Sequence, residues 1–374
     1  MEEREATAGF YMIKSLRTDN FRCFKELEIQ GLQRVNVLVG KNATGKTALL
    51  EAIRLALGGT PNVLWGLNGT RGLNAGVQQP ITREVFESMW SPYFFNFDSS
   101  KAMVTSCRDS ENRSATTRIF YDPDKATRTA PTQEQPQQQP PQTVLPSSFI
   151  PPLAFERISF AGVSSTLYAS VQSQGSLSFE GGPENGPVTE FFPSSTLNFN
   201  PQLSVQAFSQ LSLQQREKAI VDAVREEFEP SLESLSVLSP SGQPGIYAGL
   251  RYLKQKLPTG NLSAGITRFI AMLSAVLLRA KGVVLIDEIE NGLSYTTFQA
   301  LWKYLLKFSI ENDTQIFAST HSLECVRSIM PGMMKEHAKD VTLLRVERLN
   351  GSSGVTVVPG DFLEAALEQN FEVR

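Results

Sequence analysis

Residues 40–47 read Gly40-Lys41-Asn42-Ala43-Thr44-Gly45-Lys46-Thr47, a match to the pattern G-x-x-x-x-G-K-[ST]. The glycines let backbone N–H groups curl around phosphate oxygens, and the positive end of a following helix favours the same negative charge. Lys46 can reach the β- and γ-phosphates of a nucleotide, and the Thr47 hydroxyl can hold Mg²⁺. The flanks suit such a loop. Before it, Val35, Val37, Leu38 and Val39 form a short β-branched run typical of a buried strand. After it, Leu49, Leu50, Ile53, Ala56 and Leu57 recur at helical spacing until Gly58, Gly59 and Pro61 stop the helix.

Three more segments carry chemistry. Val283 to Ile286 is a hydrophobic strand that runs into Asp287 and Glu288. Asp287 at the strand tip can anchor the Mg²⁺ shell, and Glu288 can polarise an attacking water. Alone, the segment would equally be a strand followed by a polar turn; the loop at 40–47 favours the catalytic reading. Ser319-Thr320-His321 closes another strand, beginning at Gln315. Polar residues at such a strand end face the ligand crevice of an open α/β sheet, so His321 can hydrogen-bond the γ-phosphate or the attacking water. His337 has no such setting and reads as a surface residue. Asn261-Leu262-Ser263-Ala264-Gly265 opens the helix before the acidic strand, with Ser263 a natural N-cap and Gly265 leaving room for close backbone approach.

The order of phosphate loop, Leu262-Ser263-Ala264-Gly265, Asp287-Glu288 and His321 resembles the ABC ATPase superfamily. Asn20-Phe21-Arg22-Cys23-Phe24, Asp287-Glu288-Ile289-Glu290-Asn291-Gly292-Leu293 and Thr320-His321-Ser322 look like its RecF/SMC/OLD branch rather than membrane-transporter subunits. The resemblance spans roughly residues 12–60 and 257–350. It implies an ATPase with ATP and Mg²⁺ as cofactors, working as a head-to-tail homodimer or higher oligomer that sandwiches two nucleotides. Gly40, Lys41, Asn42, Ala43, Thr44, Gly45, Lys46, Thr47 and Ala48 would contact the nucleotide from one chain, and Ser263 and Gly265 from the other. Thr47 and Asp287 would hold the metal, while Lys46, Glu288 and His321 would serve catalysis. Three features depart from the family pattern. Ala264 replaces the second signature glycine, and Gln78 and Gln79 are Q-loop candidates by order alone. The roughly fifty residues after His321 are too few for the Toprim nuclease domain of OLD-type proteins.

The implied fold class is α/β: an ABC-type P-loop ATPase head with a mainly parallel sheet flanked by helices, an inserted mixed α+β lobe and a disordered linker. Residues 1–11 read as a flexible terminus, 12–123 and 258–374 as the two parts of the head, and 153–257 as the middle lobe. Between them 124–152 turns to Pro, Gln and Thr, with too little apolar surface to offset its ordering entropy. Helices are expected over Leu213 to Phe228, Ser263 to Ala280 and Ser294 to Phe308. Asn350-Gly351, between Val341 to Val346 and Val355 to Val358, is a hairpin signal.

With 374 residues, 41% hydrophobic and 20% charged, the chain has an ordinary globular composition. Its formal charge of -3 argues against wholesale coating of nucleic acid, though a RecF- or SMC-like DNA clamp stays an alternative. Missing heptads exclude an SMC arm. Two histidines exclude a histidine-rich metal centre, and Cys23, Cys107 and Cys325 give no disulfide framework or zinc spacing. No apolar run nears the roughly 20 residues that cross a bilayer, and the acidic start is no signal peptide, so a cytoplasmic protein without membrane contact is expected. Its setting would be bacterial DNA repair or anti-phage defence, with a separate effector protein. The chain itself should lack nuclease activity, since Glu364, Glu368 and Glu372 read as a solvated helix face.

Overall fold

A computed structural model describes residues 12–73, 80–128, 149–182, 187, 189–194, 201–240, 242–332, 335–349, 351–363 and 365. Strands β1 (Ile13–Phe21) and β2 (Phe24–Gln30) form a hairpin, and β3 (Val35–Val39) leads through the 40–45 loop into helix α1 (Lys46–Gly58). Helices α2 (Pro61–Gly69) and α3 (Arg83–Trp90) precede β4 (Met103–Asp109) and β5 (Ser114–Tyr121). A short pair, β6 (Thr127–Arg128) and β7 (Phe149–Ile150), comes before β8 (Leu153–Ile158), β9 (Ser164–Val171), β10 (Leu177–Phe179) and β11 (Thr189–Phe192). Helices α4 (Pro201–Leu213) and α5 (Lys218–Glu227) are followed by β12 (Leu232–Leu238), β13 (Gly245–Leu250) and β14 (Leu257–Pro258). The remainder alternates: α6 (Ala264–Leu278), β15 (Val283–Ile286), α7 (Phe298–Asn312), β16 (Gln315–Ser319), α8 (Leu323–Arg327), α9 (Ile329–Gly332), then the hairpin β17 (Val341–Leu349) and β18 (Ser352–Pro359).

Two large sheets result. One runs β11-β15-β16-β3-β17-β18, parallel except for the antiparallel edge strand β18. The other, β10-β9-β8-β5-β4-β1-β2, is antiparallel throughout. Strand alternation decides which core each side chain joins. Val35, Val37, Val284, Ile286, Ile316, Ala318, Val341 and Leu343 pack with helices α4 to α8 and Ile329. Leu38, Val283, Leu285, Phe317, Leu344 and Val346 face the other way, onto α1 and the antiparallel sheet. The molecule is thus an α/β head with helices on one face of its parallel sheet. On the opposite face α1 lies between the two sheets.

The expectation of helices on both sides therefore holds with an addition: beyond α1 the second cover is a sheet, because β1, β2, β4, β5, β8 and β9 alternate buried and solvent-facing residues. The span 153–257 contributes β8 to β10 to the antiparallel sheet, β11 to the edge of the parallel sheet, α4 and α5 to the helical layer, and β12 to β14 as a small sheet of their own. The helix expected over Leu213 to Phe228 starts later, as α5 from Lys218: Leu213 instead ends α4, Gln215 turns left-handed at φ 57°, and the Arg216 N–H caps the Leu211 carbonyl. Of the stretch expected to lack structure, 124–128 and 149–152 are ordered through the β6–β7 pair. Residues 129–148 and the N-terminal 1–11 lie outside the described residues, as do Gln78, Gln79, Glu364, Glu368 and Glu372. The hairpin signal is met by the register Leu349↔Ser352, with Gly351 at φ 84°.

Candidate nucleotide site

The site grows from the C-terminal ends of β3, β15 and β16. Strand β3 is buried along its whole length and stops at Gly40, whose φ of 143° and place against β17 suit glycine: a Cβ there would lie 2.2 Å from the Val346 carbonyl oxygen. Ala43 at φ 62° and Gly45 at φ 115° complete the curl. Gly45 caps α1 without any side-chain hydrogen bond, so the amides of the first turn are left for a ligand. A Cβ at Gly45 would meet Cys23 Sγ at 2.6 Å, which ties the loop to the β1–β2 turn.

Lys46 is buried and donates to the carbonyls of Gly40 (2.7 Å) and Lys41 (2.9 Å) within its own loop. Burial lowers its pKa, opposed by the charges of Asp287, Glu288 and Glu290. Lys41, Asn42 and Ala43 are exposed at the loop crest, while Ala48 is buried in the helix. Thr47 Oγ1 donates to Asp287 Oδ2 at 2.8 Å. The other carboxylate oxygen, Oδ1, accepts from Ser319 Oγ at 2.5 Å. Burial pushes the Asp287 carboxyl up, and the hydrogen bonds from Ser319 and Thr47 pull it down. These are hard oxygen donors side by side, the set that suits Mg²⁺.

Glu288 sits at φ 49° immediately past β15. Its N–H donates to the same Ser319 hydroxyl at 2.9 Å, and its Oε2 accepts from Asn291 Nδ2 at 2.6 Å. His321 lies nearby, half-exposed, with Nδ1 2.9 Å from Glu290 Oε1, which also accepts the His321 N–H at 2.9 Å. Thr320 N–H donates to Leu38 O, binding this strand end to β3. The structure thus brings Lys46, Thr47, Asp287, Glu288 and His321 to one end of the parallel sheet.

Ser263 and Gly265 stand elsewhere. Ser263 is exposed and caps α6, its Oγ accepting the Gly265 N–H at 3.1 Å. Gly265 is packed against the loop after the acidic strand, where a Cβ would lie 2.5 Å from Gly292 O. His337 pairs with Asp340 at 3.1 Å.

Sequence reasoning missed four contributors. Ser319 fixes both acidic residues, and Asn291, itself bonded to Ser194 O at 2.8 Å, fixes Glu288. Glu290 orients His321. Arg268 on α6 donates from Nη2 to the carbonyls of Asp287 (3.1 Å) and Glu288 (3.2 Å). A lone arginine in an otherwise apolar helix was the available signal; the others needed the strand order.

Residues 15–76 match a family described as "AAA domain", and residues 158–327 match one described as "AAA domain, putative AbiEii toxin, Type IV TA system". A Helicobacter pylori protein named "ATP/GTP phosphatase" is 22% identical over 334 residues, covering 84% of this chain and 86% of that protein. The "DNA replication and repair protein RecF" of an Exiguobacterium species is 49% identical over 41 residues, 11% of each chain. Among solved structures, an SMC head bound to the C-terminal winged-helix domain of ScpA aligns over 96% of this chain and 99% of its own, at 14% identity and a TM-score of 0.48. No helix among the described residues is long and apolar enough to cross a membrane. With its phosphate loop and acidic strand joined in one site, the chain carries an AAA-type P-loop ATPase domain and is an ATP-hydrolysing enzyme.

Proposed function

We propose that the protein hydrolyses ATP in a dimer of two chains that closes around two nucleotides. The observation carrying this reading is the Ser319 hydroxyl, which bonds the Asp287 carboxylate and the Glu288 backbone together and so presents two adjacent acids for different tasks. Asp287 faces Thr47 and takes the metal side; Glu288, pointing to Asn291, is left as the general base. Mg²⁺, when bound with the nucleotide, would be held by Thr47 and Asp287 and would neutralise charge on the phosphate oxygens. The 40–45 loop and Lys46 bind the phosphates, and His321, held by Glu290, reaches the γ-phosphate side. Exposed Ser263, at the open end of α6, supplies the partner chain's site with its hydroxyl and helix N-terminus, and Gly265 permits the close approach.

The biological role in this reading is DNA repair or anti-phage defence, with a separate effector. The family description that mentions a toxin–antitoxin system supports the defence side. A DNA clamp is the second reading, supported by the matched RecF segment and a matched 46-residue segment named for a Rad50 ATPase. Salt-dependent DNA binding with and without ATP separates the two. The dimer itself is tested with Glu288→Gln, which keeps shape and loses basicity. Light scattering should show a doubled mass with ATP and a monomer without it, and a monomer in both conditions contradicts the sandwich. Mixing Ser263→Arg with Lys46→Ala should then restore part of the turnover that each lacks, because one composite site per heterodimer stays intact.

A further inference from the structure

We infer that Ser353, on the C-terminal hairpin, is a positioning residue of the phosphate loop: its hydroxyl holds the Thr44 carbonyl outward and thereby aims the Gly45 N–H at the nucleotide phosphates. The inference rests on reading residues 40–47 as the ATP-binding loop.

Ser353 is buried on β18, 309 positions from Thr44 in the chain, yet its Oγ donates to Thr44 O at 2.5 Å. The strand that carries it is itself fixed. Ser353 N–H donates to Cys23 O at 2.9 Å, Ser352 Oγ donates to the same carbonyl at 3.3 Å, and Lys25 N–H donates to Ser352 Oγ at 3.1 Å. These bonds join the start of β18 to the start of β2, so the Ser353 side chain is offered to the loop from a stationary backbone.

What it holds is the peptide that leads out of Thr44, the loop residue standing between left-handed Ala43 at φ 62° and left-handed Gly45 at φ 115°. For alanine that conformation is unfavourable and needs outside support. A trans peptide is planar, with its C=O and N–H pointing in opposite directions. A Thr44 carbonyl drawn toward β18 therefore turns the Gly45 N–H away from β18, to the side from which a phosphate oxygen enters the curl. The Thr44 side chain cannot do this work, because its hydroxyl is engaged with Lys41 O at 2.9 Å. Removing the Ser353 hydroxyl leaves a carbonyl without its donor and frees the peptide to rotate.

The test compares full-length wild type with Ser353→Ala, Ser353→Cys, which retains the shape but donates weakly, and Ser353→Thr, which retains the hydroxyl. Affinity is read with a fluorescent ATP analogue, turnover as phosphate release, and folding as the melting temperature without nucleotide. Loss of one such hydrogen bond should weaken nucleotide affinity and raise KM about fivefold to tenfold in Ser353→Ala. Ser353→Cys should move the same way, kcat should change less than about twofold, and Ser353→Thr should return to wild type. Wild-type affinity in both Ser353→Ala and Ser353→Cys overturns the inference, as does a Ser353→Thr protein as weak as Ser353→Ala. Lys46→Ala run alongside keeps the two readings apart. If Lys46→Ala binds ATP like wild type, the loop assignment falls and the Ser353 role with it. If Lys46→Ala loses binding while Ser353→Ala and Ser353→Cys keep it, Ser353 alone is refuted.

Discussion

Thr47 and Asp287, 240 positions apart in the chain, meet through a 2.8 Å hydrogen bond from Thr47 Oγ1 to Asp287 Oδ2. This contact couples the first turn of α1 to the tip of β15, and most of the site is arranged around it. Asp287→Asn should lower Mg²⁺-dependent phosphate release by about 10² or more. Burial already disfavours the ionised carboxyl, so the neutral amide should leave the nucleotide-free protein melting at or above the wild-type temperature. A titration of activity against Mg²⁺ beside a melting curve checks both halves.

A second buried charge lies further along α1. Glu51, 1% exposed, is paired through Oε2 with Arg22 Nε at 2.6 Å and through Oε1 with Arg71, and the Arg22 guanidinium stacks 4.3 Å from the Tyr93 ring centroid. Burial pushes the Glu51 carboxyl up, and the two arginines pull it back. Glu51→Ala would leave both guanidinium groups uncompensated, so urea unfolding should show a loss of about 3–5 kcal/mol. A loss under about 1 kcal/mol would mean that solvent replaces the carboxylate.

Gly265 and Gly260 make a matched pair. A Cβ at Gly265 would stand 2.5 Å from the Gly292 backbone oxygen, whereas one at Gly260 would meet nothing within 4 Å. Gly265→Ala must displace the 292–293 loop and should destabilise the fold by about 1–3 kcal/mol, with turnover lost. Gly260→Ala should stay near wild type in melting temperature and phosphate release.

The cysteines give a pH-dependent readout. Burial raises the pKa of all three thiols, that of Cys325 to about 12. A raised thiol pKa means less thiolate at a given pH, so labelling must begin at higher pH than for a free thiol. At pH 8, Cys107 and Cys325 should stay silent until denaturant is added, while half-buried Cys23 reacts slowly. Rapid native labelling of three thiols would contradict this packing.

The head of the fold was legible because its strands and loops carry short-range signals. The run from Val35 to Val39, the glycines at 40 and 45 and the acidic pair after Ile286 each announce a local conformation. The juxtaposition at Ser319 was not, since Asp287 and Glu288 reach its hydroxyl only through the parallel pairing of β15 with β16. The antiparallel sheet was visible only as scattered strands. Its strands come from both sides of the 129–148 segment, and no local pattern reveals that β5 pairs with β8. The break at Gln215 was hidden for a different reason: a left-handed glutamine has no strong sequence signature.

Steady-state phosphate release by wild type, Lys46→Ala and Glu288→Gln, each purified and shown to be folded, tests the central claim most directly. Wild type should release phosphate from ATP in a Mg²⁺-dependent manner. Lys46→Ala should lose both nucleotide binding and turnover, and Glu288→Gln should still bind ATP while releasing phosphate at least about 10²-fold more slowly. Undiminished release by a folded Lys46→Ala or Glu288→Gln protein would place the chemistry somewhere other than the junction of Lys46, Thr47, Asp287 and Glu288.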